Sequence, residues 1–85
     1  MDETIAVIEK NGVEEVHIDL SEYRGHDLIG IRIWANYGSA DEPKRPTKKG
    51  VTLKIEKLPE LISVLQEIER QARRAGLLTT KDEVA

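Results

Sequence analysis

The chain has 85 residues, no cysteine and a net charge of −3 at neutral pH. This length is enough for one small domain, and the lack of cysteine excludes disulfides and cysteine-ligated metal as sources of extra stability. Association with a second copy of the chain is the common remaining source of extra stability, so we expect a dimer.

Charge is distributed unevenly along the chain. Residues 1–22 carry one basic and seven acidic side chains, whereas residues 23–54 carry seven basic and three acidic ones. Screening limits electrostatic interactions to about 10 Å at moderate salt, so the positive segment is able to bind phosphate although the whole chain is acidic. No apolar run approaches the roughly 20 residues that span a bilayer. We expect no membrane association and a cytoplasmic, nucleoid-associated protein, or a nuclear one in a eukaryote.

Two strands are predicted in the acidic segment. Thr4 to Lys10 forms the first, with Ile5 and Val7 on one face, and Asn11-Gly12 predicts a tight hairpin turn with positive φ angles. Apolar and polar residues then alternate, as in a strand with one buried face. The apolar set is Val16, Ile18 and Leu20, and the polar set is His17, Asp19 and Ser21.

Two further strands are predicted in the positive segment. Residues 24–27 form a turn in which Gly25 takes a left-handed backbone. The third strand, from about Leu28 to Ala35, places Ile29, Ile31 and Ile33 on one face and Gly30, Arg32 and Trp34 on the other. Residues 36–48 contain a glycine and two prolines and predict a loop. Val51, Leu53 and Ile55 mark the fourth strand.

From Leu58 the apolar residues recur at spacings of three and four, which predicts an amphipathic helix. Pro59 suits its first turn and Gly76 its end. The sequence therefore predicts an α+β domain over residues 1–78, a four-stranded antiparallel sheet followed by one long helix, and a flexible tail over residues 79–85. One helix covers the apolar face of such a sheet only in part, which is a second reason to expect a dimer.

All three aromatic residues, Tyr23, Trp34 and Tyr37, lie in the positive segment. Strand alternation places Tyr23 and Trp34 away from the aliphatic faces and beside Arg32, and residues 44–50 add four cations. A tryptophan on a strand more often packs in a core, and a basic loop is more often merely solvated. Their occurrence together favours binding of single strands, whose unstacked bases lie on aromatic rings while cations hold the phosphates.

Three blocks resemble one known family. They are Glu22-Tyr23-Arg24-Gly25, Ile31-Arg32-Ile33-Trp34, and Pro46-Thr47-Lys48-Lys49-Gly50 followed by Val51-Thr52-Leu53 and a helix that opens with proline. In this order the blocks are similar to the positive-cofactor-four family of transcriptional coactivators and their bacterial or phage relatives. The resemblance implies a curved sheet, a homodimer joined through its helices, and two grooves that take antiparallel single strands.

The resemblance also implies roles for individual residues. Tyr23 and Trp34 would stack bases. Phosphate contacts would come from Arg24, Arg32, Lys48 and Lys49, with Arg45 and His26 as further contacts and Gly50 allowing a close backbone approach. The dimer interface would include Leu61, Leu65, Ile68 and Ala72. Two of the departures from the family pattern are His26, where lysine is common, and Gly30, where an acidic residue is frequent.

The implied partners are single-stranded DNA, RNA or melted duplex, a second copy of the chain and the transcription machinery, with an accessory role in transcription, replication or repair. Two other classes of function fit the sequence less well. An enzyme or metal site at His17, Asp19, Glu22 and His26 is disfavoured because their spacing fits no metal or acid–base motif, so we expect solvated side chains and no cofactor. A protein-interaction module that uses the helix stripe remains the alternative.

Overall fold

The computed structural model describes residues 3–38 and 41–79 and shows four strands followed by one helix. The elements are β1 (Glu3–Glu9), β2 (Glu14–Tyr23), β3 (His26–Ala35), β4 (Arg45–Lys54), a single 3-10 turn (Ile55–Lys57) and α1 (Leu58–Arg74). The strands pair antiparallel in the order β1-β2-β3-β4. The predicted fold class is therefore confirmed.

Two compact units are distinguished, one ending at Ile55 and the other beginning at Glu56. Of the predicted tail, residues 80–85 lie outside the described residues.

The sheet has one polar and one aliphatic face. Directly opposite residues of antiparallel strands project to the same side, and His17 lies opposite Arg32 while Asp19 lies opposite Gly30. The polar face, as used below, comprises Glu15, His17, Asp19, Ser21, Gly30, Arg32 and Trp34. The aliphatic face comprises Val16, Ile18, Leu20, Ile29, Ile31 and Ile33. This is the predicted alternation of β2 and β3.

The two hairpin turns differ. Between β2 and β3 a two-residue turn has positive φ at Arg24 (52°) and Gly25 (82°), as predicted for Gly25 and as a type I′ turn requires. Between β1 and β2 neither Asn11 nor Gly12 has a positive φ. The side chain of Asn11 instead accepts hydrogen bonds from the amides of Val13 and Glu14, both at 2.9 Å. The predicted tight turn is thus replaced by a longer loop that a side chain closes.

The first strand departs from simple alternation. Its pairing with β2 is irregular between Thr4 and Ala6, and Val7 then lies opposite His17. Val7 therefore belongs to the polar face, whereas Ile5, which was predicted to share a face with Val7, falls at the irregularity and has no directly opposite residue in β2. An irregularity of this kind shifts which side chains share a face, because the side-chain period of a strand is two.

The fourth strand begins earlier than the sequence indicated. It starts at Arg45 rather than Val51, so the prediction of a loop as far as Lys48 is wrong for the last part of that segment. Among the described strands β4 pairs only with β3, which makes it an edge strand. An edge strand tolerates Pro46, which lacks an N–H group, and the proline therefore does not stop the strand.

The helix matches its prediction closely. It starts at Leu58 with Pro59 in the first turn, and Gly76 follows its end with a φ of 79°. The amide of Leu77 donates to the carbonyl of Ala72 at 2.8 Å, which is a Schellman closure of the last turn. In the part of the chain that is described, no helix has the length and apolar character needed to cross a membrane.

Candidate nucleic-acid interface

His17 and Trp34 form a ring stack on the polar face. Their planes are 5° apart and their centroids 4.1 Å apart. His17 is only 9% exposed, so the expectation that it is solvated is wrong. The reason is the strand register: His17 lies opposite Arg32, and a long side chain reaches the diagonal neighbour two residues further along the partner strand.

Hydrogen bonds hold the imidazole in place behind the indole. Its Nε2–H donates to Oε1 of Glu15 at 3.0 Å, because an ionised carboxylate only accepts. The hydroxyl of Thr4 lies 3.4 Å from Nδ1 on the other side of the ring. The second oxygen of Glu15 pairs with the Lys44 ammonium at 3.7 Å. His17 thus covers one face of the indole, and Trp34 is half-buried on this side of the sheet.

An open cleft of about 430 Å³ lies along the polar face. Its walls are formed by Thr4, Asp19, Ser21, Gly30, Arg32, Trp34 and Thr52. A guanidinium group and an indole therefore line the same cleft, surrounded by short side chains with hydroxyl groups. This combination provides a flat surface for a base and a cation for a phosphate.

The guanidinium of Arg32 is anchored to the edge strand. Its Nη1 donates to the carbonyl of Thr47 at 3.0 Å, and the Thr47 hydroxyl donates to the carbonyl of Ile33 at 2.8 Å. The contact falls where the β3–β4 register shifts: Gly50 lies opposite Arg32, whereas Pro46 already lies opposite Trp34. The irregularity lies in the stretch of β4 that contains Lys48 and Lys49.

Gly50 allows a close approach of two protein backbones. A Cβ atom at this position would lie 2.5 Å from the carbonyl oxygen of Ile31 and 2.9 Å from Cα of Arg32. Backbone atoms cannot give way as a flexible side chain can. Gly50 therefore approaches β3 closely, at the irregular part of the β3–β4 pair, and its predicted role in nucleic-acid binding stays a prediction.

Tyr23 shares the polar side of β2 but lies far from Trp34. Tyr23 pairs with His26 at one end of β2 and β3, whereas Trp34 pairs with Glu15 near the other end. The two positions are eight residues apart along β3, which corresponds to roughly 26 Å of strand. Tyr23 is 60% exposed, and the Arg24 guanidinium lies 5.2 Å from the centroid of its ring. The two predicted stacking rings thus stand at opposite ends of one face.

The remaining predicted cations differ in their surroundings. Arg45, Lys48 and His26 are exposed, and none of them forms an ion pair with another described residue. The ammonium of Lys49 lies 3.5 Å from the Tyr37 hydroxyl and 5.7 Å from the centroid of that ring. Lys49 is therefore directed toward Tyr37, which is a contact the sequence did not indicate.

Tyr37 belongs to a cluster around Glu14 that sequence reasoning missed. The Glu14 carboxylate accepts hydrogen bonds from Lys10 at 2.7 Å, Asn11 at 2.8 Å and the Tyr37 hydroxyl at 2.8 Å. These bonds, led by that from Lys10, lower the pKa of Glu14 to about 2. The cluster ties the β1–β2 loop to the segment after β3. Within the described ranges, no three acidic or histidine side chains are placed to hold a metal ion.

Comparison with known proteins places the chain in a family. The family model of Transcriptional Coactivator p15 (PC4) matches residues 10–64, more than half of the chain. The chain belongs to the PC4 family, as its three sequence blocks predicted. No curated protein matches it.

Solved structures are similar in fold and extent. A PC4 homolog from Burkholderia pseudomallei K96243, in its orthorhombic crystal form, has 26% sequence identity and a TM-score of 0.70, over 81% of this chain and 90% of that one. The bacteriophage T5 homolog of the eukaryotic transcription coactivator PC4, implicated in recombination-dependent DNA replication, has 26% identity and a TM-score of 0.61, over 93% of this chain and 98% of that one. Both neighbours agree with a bacterial or phage-type member.

Proposed function

We propose that this protein binds single-stranded DNA on the polar face of its sheet, as a homodimer and without reading a defined sequence. The observation that carries the proposal is the cleft that Trp34 and Arg32 line together, with His17 stacked behind the indole. A ring that is fixed from behind loses little freedom when a base stacks on its front. Each stacked base contributes about 1–3 kcal/mol.

Cations at the edge of the cleft supply the phosphate contacts. Arg32 lines the cleft and is anchored to β4, where Lys48 is exposed, and Arg24 stands beside Tyr23 at the far end. The roughly 26 Å of strand between the positions of Tyr23 and Trp34 suits a single strand of several nucleotides. A duplex hides its bases, so it would gain the phosphate contacts but not the stacking. Residues 1–78 would act as one functional unit.

The burial of apolar residues supports the homodimer. Of the hydrophobic residues described, only Ile29 and Ala35 are buried, which is very little core for a chain of this size. On the helix stripe Leu65 is 53% and Ile68 57% exposed. A second copy that packs on this stripe, with Leu61 and Ala72, would bury apolar area that the monomer leaves in water.

Membership in the family agrees with this proposal. The family description is that of a transcriptional coactivator, and the phage T5 homolog is implicated in DNA replication. For this chain we accordingly propose an accessory role in transcription, replication or repair, carried out by binding rather than by catalysis. The transcription or replication machinery would be the further partner, in the cytoplasm at the nucleoid.

Competition binding tests the function. A fluorescently labelled single-stranded oligonucleotide of about 20 nucleotides is bound to the protein, and unlabelled single-stranded DNA, RNA or duplex of equal length displaces it at fixed salt. We expect the two single strands to compete far better than the duplex, and sedimentation to give the mass of a dimer. Equal competition by duplex would contradict the stacking mechanism.

The alternative, a protein-interaction module, rests on the exposed helix stripe alone. It predicts a folded protein that binds none of the three nucleic acids. In that case Leu65→Glu would abolish the binding of a protein partner. Under the proposed function the same substitution yields monomers, and single-stranded DNA binds them more weakly because one groove replaces two.

A further inference from the structure

A carboxylate lies in the middle of the cleft that is proposed to bind a polyanion. Asp19, on β2, lines the cleft together with Arg32 and Trp34 and is half-buried. Among the described residues no hydrogen bond or ion pair involves the carboxylate of Asp19, not even one with Arg32, whose Nη1 donates to Thr47. An ionised carboxylate accepts up to four hydrogen bonds and donates none. Asp19 therefore presents unused acceptors to whatever enters the cleft.

The opposite strand fixes where this carboxylate lies. Asp19 faces Gly30 in the β2–β3 register. A Cβ atom on Gly30 would lie 2.5 Å from Oδ1 and 2.7 Å from Oδ2 of Asp19. The carboxylate thus occupies the space that any other residue at position 30 would fill, and it lies over β3. On that strand Gly30 is followed at two-residue steps by Arg32 and Trp34, all on the polar face.

A carboxylate at this place discriminates between parts of a nucleotide. It repels a phosphate, so the phosphates are favoured on the basic side of the cleft, toward β4. It attracts a base edge that carries N–H donors. Cytosine and adenine each present an exocyclic amino group, and guanine presents an amino group beside a ring N–H. Thymine and uracil present one ring N–H between two carbonyl oxygens, which repel the carboxylate.

We propose that Asp19 is a specificity-determining residue that accepts hydrogen bonds from the edge of a base in the cleft, so that amino-bearing bases bind more tightly than thymine or uracil. This inference rests on the proposed binding of single strands. It adds that the polar face selects base composition and orients the strand, with base edges toward β2 and phosphates toward β4.

Cytosine and thymine homopolymers isolate the contribution of hydrogen bonds from the base edge to Asp19. Both bases are pyrimidines of similar size, and they differ mainly in the donors and acceptors on their hydrogen-bonding edge. We measure competition by (dC) and (dT) oligonucleotides of about 20 nucleotides against one labelled strand, at neutral pH and fixed salt. For the unmodified protein we expect (dC) to bind about tenfold more tightly than (dT), within the range of a specific side-chain–base contact.

Asp19→Asn should bring the two affinities close to one another, since an amide donates as well as accepts and pairs with thymine too. The matched control is Asp27→Asn. Asp27 is exposed, lies opposite Glu22 in the β2–β3 register and is on the other side of the sheet. The Asp27→Asn substitution therefore removes the same charge but should leave the tenfold ratio unchanged.

Gly30→Ala tests the position of the carboxylate without removing its charge. Its Cβ must displace the oxygens of Asp19, so the preference for (dC) should fall while circular dichroism shows a folded protein. Equal binding of (dC) and (dT) by the unmodified protein, or an unchanged ratio in Asp19→Asn, would overturn the role of Asp19. Failure of both homopolymers to bind would instead contradict the proposed function itself.

Discussion

The imidazole of His17 lies parallel to the indole of Trp34, 4.1 Å away between centroids. Two strands supply one ring each, so the β2–β3 register sets the position of the indole. The cleft-facing side of Trp34 is thereby presented in one orientation. The stack explains why a histidine is buried on the polar face of a sheet.

Removal of this stack should weaken binding of single strands. An aromatic pair contributes about 0.5–1.5 kcal/mol, so His17→Ala should lower the affinity by a factor of about 2 to 12. His17→Phe restores a ring behind the indole without the hydrogen bond to Glu15, and it should recover most of the affinity. The measurement is a fluorescence anisotropy titration. Equal affinities for all three proteins would show that the stack does not position Trp34.

Gly50→Ala should destabilise the fold at the β3–β4 pair. Its Cβ would collide with the carbonyl of Ile31, and such overpacking costs about 1–3 kcal/mol. The melting temperature, compared at one protein concentration, should fall by roughly 4–8 °C for each kcal/mol. Gly12→Ala is the control, because no atom lies within 4 Å of its Cβ and its φ is not positive. Equal melting temperatures for the two variants would contradict the close approach of β4.

Lys48 should contribute one phosphate contact. Single-stranded nucleic acids give a slope of log K against log salt of about −0.7 for each phosphate neutralised, so Lys48→Ala should make the slope shallower by about 0.7. The control is Lys57→Ala, which removes a cation that lies beside Glu60 before the helix. A Lys48→Ala slope equal to that of the unmodified protein would remove Lys48 from the interface.

Ionisation of Glu14 should make the stability of the fold depend on pH in the acid range. Its pKa is lowered from 4.5 to about 2 in the folded protein by hydrogen bonds from Lys10, Asn11 and Tyr37. The ionised form is therefore favoured by folding, so its contribution is complete above pH 4.5 and is lost as the pH falls toward 2. Urea denaturation across this range should show a smaller decline for Glu14→Gln than for the unmodified protein. Glu9→Gln removes an exposed carboxylate and should behave as the unmodified protein does.

The sequence predicted the parts of the fold that depend on local pattern. Alternation of apolar and polar residues placed Arg32 and Trp34 on one face of β3 and the isoleucines on the other, as the pairing confirms. Gly25 and Gly76 were predicted from the left-handed backbone that each turn requires, and both have positive φ. The helix was predicted from its period and from Pro59.

The parts that were missed depend on contacts across strands. Burial of His17 requires the diagonal neighbour Trp34, which alternation within one strand does not reveal. Gly30 was noted as a departure from an acidic pattern, but only the register shows that Asp19 occupies its space. The bond from Tyr37 to Glu14 joins residues 23 positions apart and follows no sequence periodicity.

The fluorescence of Trp34 tests the central claim most directly, because it is the only tryptophan in the chain. A single-stranded oligonucleotide should quench this emission at low salt, and added salt should reverse the quenching. For five phosphate contacts the slope of log K against log salt should be about −3.5. Trp34→Ala should remain folded and bind the oligonucleotide more weakly. An emission that single strands leave unchanged, together with full affinity in Trp34→Ala, would contradict a base-stacking surface on this face.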